Sequence, residues 1–275
     1  MKHLLLAPST FLGLLILYCI NPLVADVEKT EDYEKRMELT SKATLGDVEA
    51  MHQLGVFFQL RGDHKLANHW YEKAGEKGHA NSLWKLEDII YLTEGKKDYK
   101  KLRKIYLRLI QIGQPKACLR LGQLHSNTAS GLYDMDQALI HLIEGIDMKD
   151  SHCMVELALL NMGERGHPRN YLESAKWFEE AYKLGNIKAA RYLGLSFRYG
   201  LGVEEDHAKA WKYYGQAARQ DDADSLFALG EAMFIGDTIE KNIDRAVLYF
   251  SEAAKLGHRN ARLRLQALRR EKAKQ

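Results

Sequence analysis

Proline is scarce in this 275-residue chain, four residues in all, and no Ser/Gly-rich run interrupts it, which argues against long disordered linkers. Cysteine is scarcer still, at three. Cys19 lies in an uncharged N-terminal run, which leaves only Cys118 and Cys153. Two thiols make no disulfide framework and, with no C-x-x-C pair, no zinc site. An excess of one charge is missing too: 40 Lys+Arg against 37 Asp+Glu leave +3, too little to imply a nucleic-acid partner. No H-E-x-x-H, Walker loop or G-x-S-x-G elbow occurs. His152 adjoins Cys153, but side chains one residue apart on a helix point in different directions, so they do not form a thiol–imidazole pair. The expectation is a protein without catalytic, metal or cofactor-binding residues.

The N-terminus stands apart. Lys2 and His3 precede residues 4–25, which carry no charge, and the chain turns polar at Asp26. Pro8 and Pro22 interrupt the run, and Leu23-Val24-Ala25 closes it. That is the layout of a secretory signal peptide cleaved after Ala25. The alternative is an uncleaved anchor, because a run of this length can span a bilayer. Cleavage predicts an exported protein, periplasmic or secreted, with no stable membrane insertion afterwards.

What the chain has in abundance is self-similarity. Leu193-Gly194 recurs 36 residues later as Leu229-Gly230, and 36 and 72 residues earlier as Leu157-Ala158 and Leu121-Gly122. Leu54-Gly55, Leu86-Glu87 and Leu265-Gln266 extend the series. Small residues precede the Leu by four: Ala50, Ser82, Ala117, Cys153, Ala189, Ser225, Ala261. Bulky residues keep the same beat at Tyr71, Tyr106, Leu142, Phe178, Tyr214 and Phe250. Each unit closes at Gly78, Gly113, Lys149, Gly185, Asp221 or Gly257.

Each unit reads as two helices. In the first, a small residue and Leu one turn apart share a face. In the second, as in Ala210-Trp211-Lys212-Tyr213-Tyr214-Gly215-Gln216-Ala217, small residues admit a neighbouring helix and a ring fills the space beside them. The recurrence of Tyr214's column marks it as a packing position. The turn Gly200-Leu201-Gly202-Val203 joins two helices and follows no strand, which argues against a dinucleotide loop.

These columns resemble the Sel-one-like repeat (SLR), a relative of the tetratricopeptide repeat. The likeness is clearest in A-x-x-x-L-G at Ala189 to Gly194, G-x-G-V-x-x-D at Gly200 to Asp206 and A-W-x-Y-Y-x-x-A-A at Ala210 to Ala218. It implies an all-α fold, a right-handed α-solenoid of antiparallel helix pairs. The organisation expected is a signal peptide (1–25), an N-terminal helical cap (26–45), six repeats (46–258) and a C-terminal capping helix (259–275). Glu87 stands where the pattern has Gly, and the turn of the third unit is irregular. SLR proteins associated with β-lactam hydrolysis belong to a cysteine-rich subgroup whose cysteines this chain lacks, so that activity is not carried over.

The resemblance also implies a role: an adaptor holding a protein or peptide on a concave face of first helices, in envelope assembly or at a host surface. Carried onto this sequence, that face holds Trp84, Tyr91, Met162, Arg191, Arg198 and Tyr199, then Phe227, Glu231 and Phe234. Val155 and Asp224 fall on the same stripe. Aromatics, Met and Arg are the residues enriched at interfaces. Two readings of the stripe stay open, a free binding groove and a face closed on itself by superhelical curvature. Arg191 with Arg198, and Phe227 with Phe234, repeat a seven-residue spacing and are expected to form one patch. A glycan- or peptidoglycan-binding scaffold and an envelope hydrolase are the alternative functions.

Overall fold

The computed structural model describes residues 30–92, 97–236 and 238–272. The segment 1–25, read as signal or anchor, lies outside the described residues. Among those described, fourteen α-helices and two short 3-10 turns are the only regular elements. The chain divides into two compact units between Lys97 and Asp98.

The first unit holds α1 (Thr30–Thr44), α2 (Val48–Leu60), α3 (His64–Glu76) and α4 (Ala80–Leu92). Each helix packs on the next. The second unit holds α5 (Tyr99–Gln111), α6 (Pro115–His125), α7 (Met135–Asp147), α8 (Ser151–Asn161) and α9 (Tyr171–Lys183). It continues through α10 (Ile187–Tyr199), α11 (His207–Ala218), α12 (Ala223–Ile235), α13 (Ile243–Lys255) and α14 (Arg259–Lys272). Here too every helix packs on its successor, and α6 also reaches α8, the first helix of the next repeat.

Local chemistry explains the boundaries. Asp and Asn cap most helix starts: Asp47 accepts from the Ala50 N–H at 2.9 Å, Asp206 from Lys209 at 2.9 Å and Asp222 from Ser225 at 2.8 Å. At the other end, the repeat-closing column takes left-handed dihedrals throughout, including Lys149 (φ 62°) and Asp221 (φ 57°). A side chain in that conformation costs about 1–2 kcal/mol, so glycine is the cheaper choice in the other repeats.

The Leu-Gly motif and the ring of the second helix are two halves of one contact. A Cβ added at Gly194 would lie 2.9 Å from the Tyr214 ring, at Gly55 2.4 Å from Tyr71, and at Gly230 2.6 Å from Phe250. The glycine leaves the space that the ring occupies. Tyr71, Phe178 and Phe250 are fully buried, and burial of each ring contributes about 2–3 kcal/mol. Gly202 serves a different contact. Its φ is +76°, and a Cβ there would meet the Tyr171 carbonyl oxygen at 2.0 Å, so this turn rests directly on the start of α9.

Candidate functional site

The site lies in the second unit, where α10 and α12, the first helices of successive repeats, line an open cleft of about 500 Å³. Its apolar lining comes from Tyr192, Leu195, Phe227, Ala228 and Ile235, with Tyr214 behind them. Burial pushes the Tyr214 phenol up to about 12, against an opposing pull from the Arg198 guanidinium, which its hydroxyl also contacts. At the rim, Tyr199 and Ile235 are 55% and 58% exposed.

The charged lining is mostly paired internally. Arg191 forms an ion pair with Asp224, lies 3.9 Å from Asp222, and donates to the Tyr192 hydroxyl at 2.7 Å. Glu231 accepts two hydrogen bonds from Arg264 of α14, both 2.8 Å, in the bidentate geometry that suits guanidinium and carboxylate. Arg264 also covers the Phe234 ring at 4.8 Å. Arg198 differs. Its guanidinium carbon lies 5.2 Å from the ring centroids of both Tyr199 and Trp211, and among the described residues it forms no ion pair with a carboxylate.

His258 closes one end of the cleft. It precedes α14 and caps it: Nδ1 accepts from the Ala261 N–H at 3.1 Å. Nε2 lies 3.3 Å from the Asp224 carboxylate, and the ring stacks on Phe227 with centroids 4.5 Å apart. Burial lowers its pKa, with Asp222 pulling the other way.

Of the nine residues expected on the concave face, the cleft brings together Arg191, Arg198, Tyr199, Phe227 and Glu231. Phe234 is not in its lining; it packs on the core around Phe250 and under Arg264. The expected four-residue patch is therefore three residues, Arg191, Arg198 and Phe227. Met162 packs half-buried beside the core of α8 to α10. Trp84 and Tyr91 lie in the first unit, Trp84 half-buried and Tyr91 exposed with Lys97 over its ring at 4.4 Å. Val155 is only 6% exposed, because α8 is buried on nearly all sides.

The sequence reading missed Tyr192, Leu195, Ile235 and His258 in the lining, and also the partners of its charges. A signal existed. Arg191–Asp224, Glu231–Arg264 and Gln123–Glu156 are all 33 residues apart. That separation, three less than the repeat, links neighbouring first helices. Glu156 is 7% exposed and also pairs with Arg165, which makes it a buried and compensated charge.

Two further clusters have the composition of chemistry without its access. Glu49 Oε2 lies 3.3 Å from His79 Nε2, and His79 Nδ1 lies 2.9 Å from the Ser82 hydroxyl, an acid–imidazole–hydroxyl order. Ser82 is fully buried, its hydroxyl also meets His52 at 2.9 Å, and its N–H bonds His79 Nδ1 at 3.2 Å. The arrangement is a helix cap. Cys118 and Cys153 are likewise fully buried. Burial raises both thiols, Cys118 to about 11 and Cys153 further, which suppresses the nucleophilic thiolate. Among the described residues, no helix is long and apolar enough to cross a membrane.

Five segments, 48–79, 115–150, 151–186, 187–222 and 223–258, match the Sel1 repeat. Chitin synthase regulatory factor 4 of Schizosaccharomyces pombe is 24% identical over 88% of this chain and 41% of its own length. Human protein sel-1 homolog 2 is 30% identical over 43% of this chain and 17% of its own. The chain thus spans less than half the length of these curated relatives. A protective antigen of uropathogenic Escherichia coli that displays an SLR fold superposes with a TM-score of 0.68 at 21% identity, over 84% of this chain and 50% of that one. A Sel1 repeat protein from Oxalobacter formigenes gives 0.65 at 22% identity, over 75% and 85%. At these identities the superpositions speak to fold.

Proposed function

We propose that this chain, which belongs to the Sel1 repeat family, is an exported adaptor that holds a polypeptide partner in the cleft between α10 and α12, without chemistry of its own. Sel1 repeat proteins generally mediate protein–protein interaction, as non-catalytic scaffolds. The finer reading rests on one observation. Tyr199 and Ile235, 55% and 58% exposed, flank a cleft whose lining combines apolar side chains with arginine. Clustered apolar exposure of this kind marks contact surfaces. Export is supported by the uncharged run 4–25 ahead of Asp26.

A photo-crosslinking amino acid at position 199, in the full chain expressed in its own cells, tests the reading. The expected result is a discrete polypeptide adduct that is lost when the crosslinker is moved to the exposed turn residue Glu204. A carbohydrate adduct would instead establish the glycan-binding scaffold, for which an exposed tyrosine ring is also a stacking surface. Identical adducts from both positions would remove the cleft as the contact site.

A further inference from the structure

Resting on the reading of the cleft as a polypeptide site, we propose that it selects a single Asp or Glu side chain carried within the partner segment beside an apolar residue. Arg198 is the group that takes the carboxylate. Of the charged groups lining the cleft, Arg191 is engaged by Asp224, and Glu231 by Arg264. Arg198 is the cation left without a carboxylate among the described residues. It contacts the Tyr214 hydroxyl, a single oxygen, whereas a guanidinium carries five N–H donors in a planar fork. The Tyr199 and Trp211 rings flank that fork at 5.2 Å each. Ring contacts restrict the rotamers of a long side chain, so a carboxylate meets a group already held in place.

The same lining limits the ligand to one negative charge. Asp224 and Glu231 take up Arg191 and Arg264, so among the described lining residues Arg198 is the one guanidinium left to balance an anion, and a second negative charge would find no partner there. A phosphate dianion and a run of acidic residues are therefore poor fits. Beside Arg198 the lining is apolar, formed by Leu195, Phe227 and Ala228. In an extended segment, residues i and i+2 point to the same side, about 7 Å apart, so an acid and an apolar anchor at that spacing reach the cleft together. The cleft opens at its rim between Tyr199 and Ile235 rather than closing into a pocket. That admits a continuing chain, so an internal side-chain carboxylate can reach Arg198 without a chain end entering the cleft.

The test selects binders to the full chain from random ten-residue segments held in a loop of a carrier protein, so that neither end is free. Enriched segments are expected to contain one Asp or Glu two positions from an aromatic or branched aliphatic residue. For such a segment, changing its acid to the amide should weaken binding about tenfold, the scale of one charge-assisted hydrogen bond. Against Arg198→Gln the same change should cost less than about twofold, because the coupled pair is already broken. Melting within a few degrees of wild type shows that the variant folds, and Arg198→Lys, which keeps the charge without the fork, should fall between the two. Enrichment without an acid, enrichment of acidic runs, or an equal loss on both proteins overturns the proposal. If those binders are still lost with Tyr199→Ser and Ile235→Ser together, the polypeptide-binding reading survives it. A parallel selection from the same segments displayed with a free C-terminus that alone yields cleft binders also overturns it, and no cleft binder from either selection removes both.

Discussion

Nε2 of His258 faces the Asp224 carboxylate at 3.3 Å while its Nδ1 accepts the Ala261 N–H at 3.1 Å. His79 repeats the arrangement in the first unit, with Glu49 at 3.3 Å and the Ser82 N–H at 3.2 Å. Both imidazoles occupy the helix-cap position that Asp47, Asp150, Asn186 and Asp222 fill in other repeats. His258 caps as the neutral ring, because a proton on Nδ1 would remove the acceptor and set a cation at a helix N-terminus.

Acid should therefore loosen the fold in a defined window. Burial, the leading cause, lowers the pKa of His258, and likewise of His52, His69 and His125, below the ordinary value of 6.5. Below 6.5 the unfolded chain binds more protons at these sites than the folded one. Their stabilising effect is thus complete above that pH and is lost as pH falls through the lower folded values. Asp222 and Asp224, with Arg191 behind them, face His258 and set the size of its share. The melting temperature should drop between pH 7 and 5, and His258→Asn, which keeps a capping acceptor that does not titrate, should flatten that drop. Identical pH slopes for the two proteins would show that His258 plays no part.

Two glycines should respond in opposite directions. Gly194 lies against the Tyr214 ring, so Gly194→Val overfills the helix pair and should cost about 1–3 kcal/mol. Gly215 lies within α11 with nothing within 4 Å of an added Cβ. Gly215→Ala should gain about 0.5–1 kcal/mol from helix propensity alone. Urea unfolding of the two variants would settle both, and a loss at Gly215 would contradict the geometry.

Ala210 is fully buried between helices, whereas Glu204 lies exposed in a turn. Ala210→Asp buries an unpaired carboxylate and should cost several kcal/mol, on the order of 3 or more. Glu204→Ala should change stability by about 0.5 kcal/mol or less. Equal melting temperatures would mean that the small-residue column is not the packing seam.

Export makes a prediction independent of the fold. Mass spectrometry of the native protein should find Asp26 or a near neighbour as the first residue. An intact Met1 in a membrane fraction would point to the anchor, and in a soluble cell extract it would end the export reading.

The repeat frame was legible in the residues themselves. Small-x-x-x-Leu-Gly on one helix and an aromatic on the next recur because every pair must solve one packing problem, and the contact of Gly194 with Tyr214 is its local solution. Recurrent, short-range constraints of this kind leave a period in the sequence. The binding stripe was legible only as positions. Which of its charges remain available was decided by contacts between repeats, at 33 residues' separation: Asp224 engages Arg191, Arg264 engages Glu231, and Arg198 is left between two rings. Those pairings share one separation, but which residue types meet at it differs from repeat to repeat, so the period does not tell which charges are spent. They depend on how far each first helix is turned toward its neighbour, a quantity set by the packing of whole side chains and settled only in the tertiary structure.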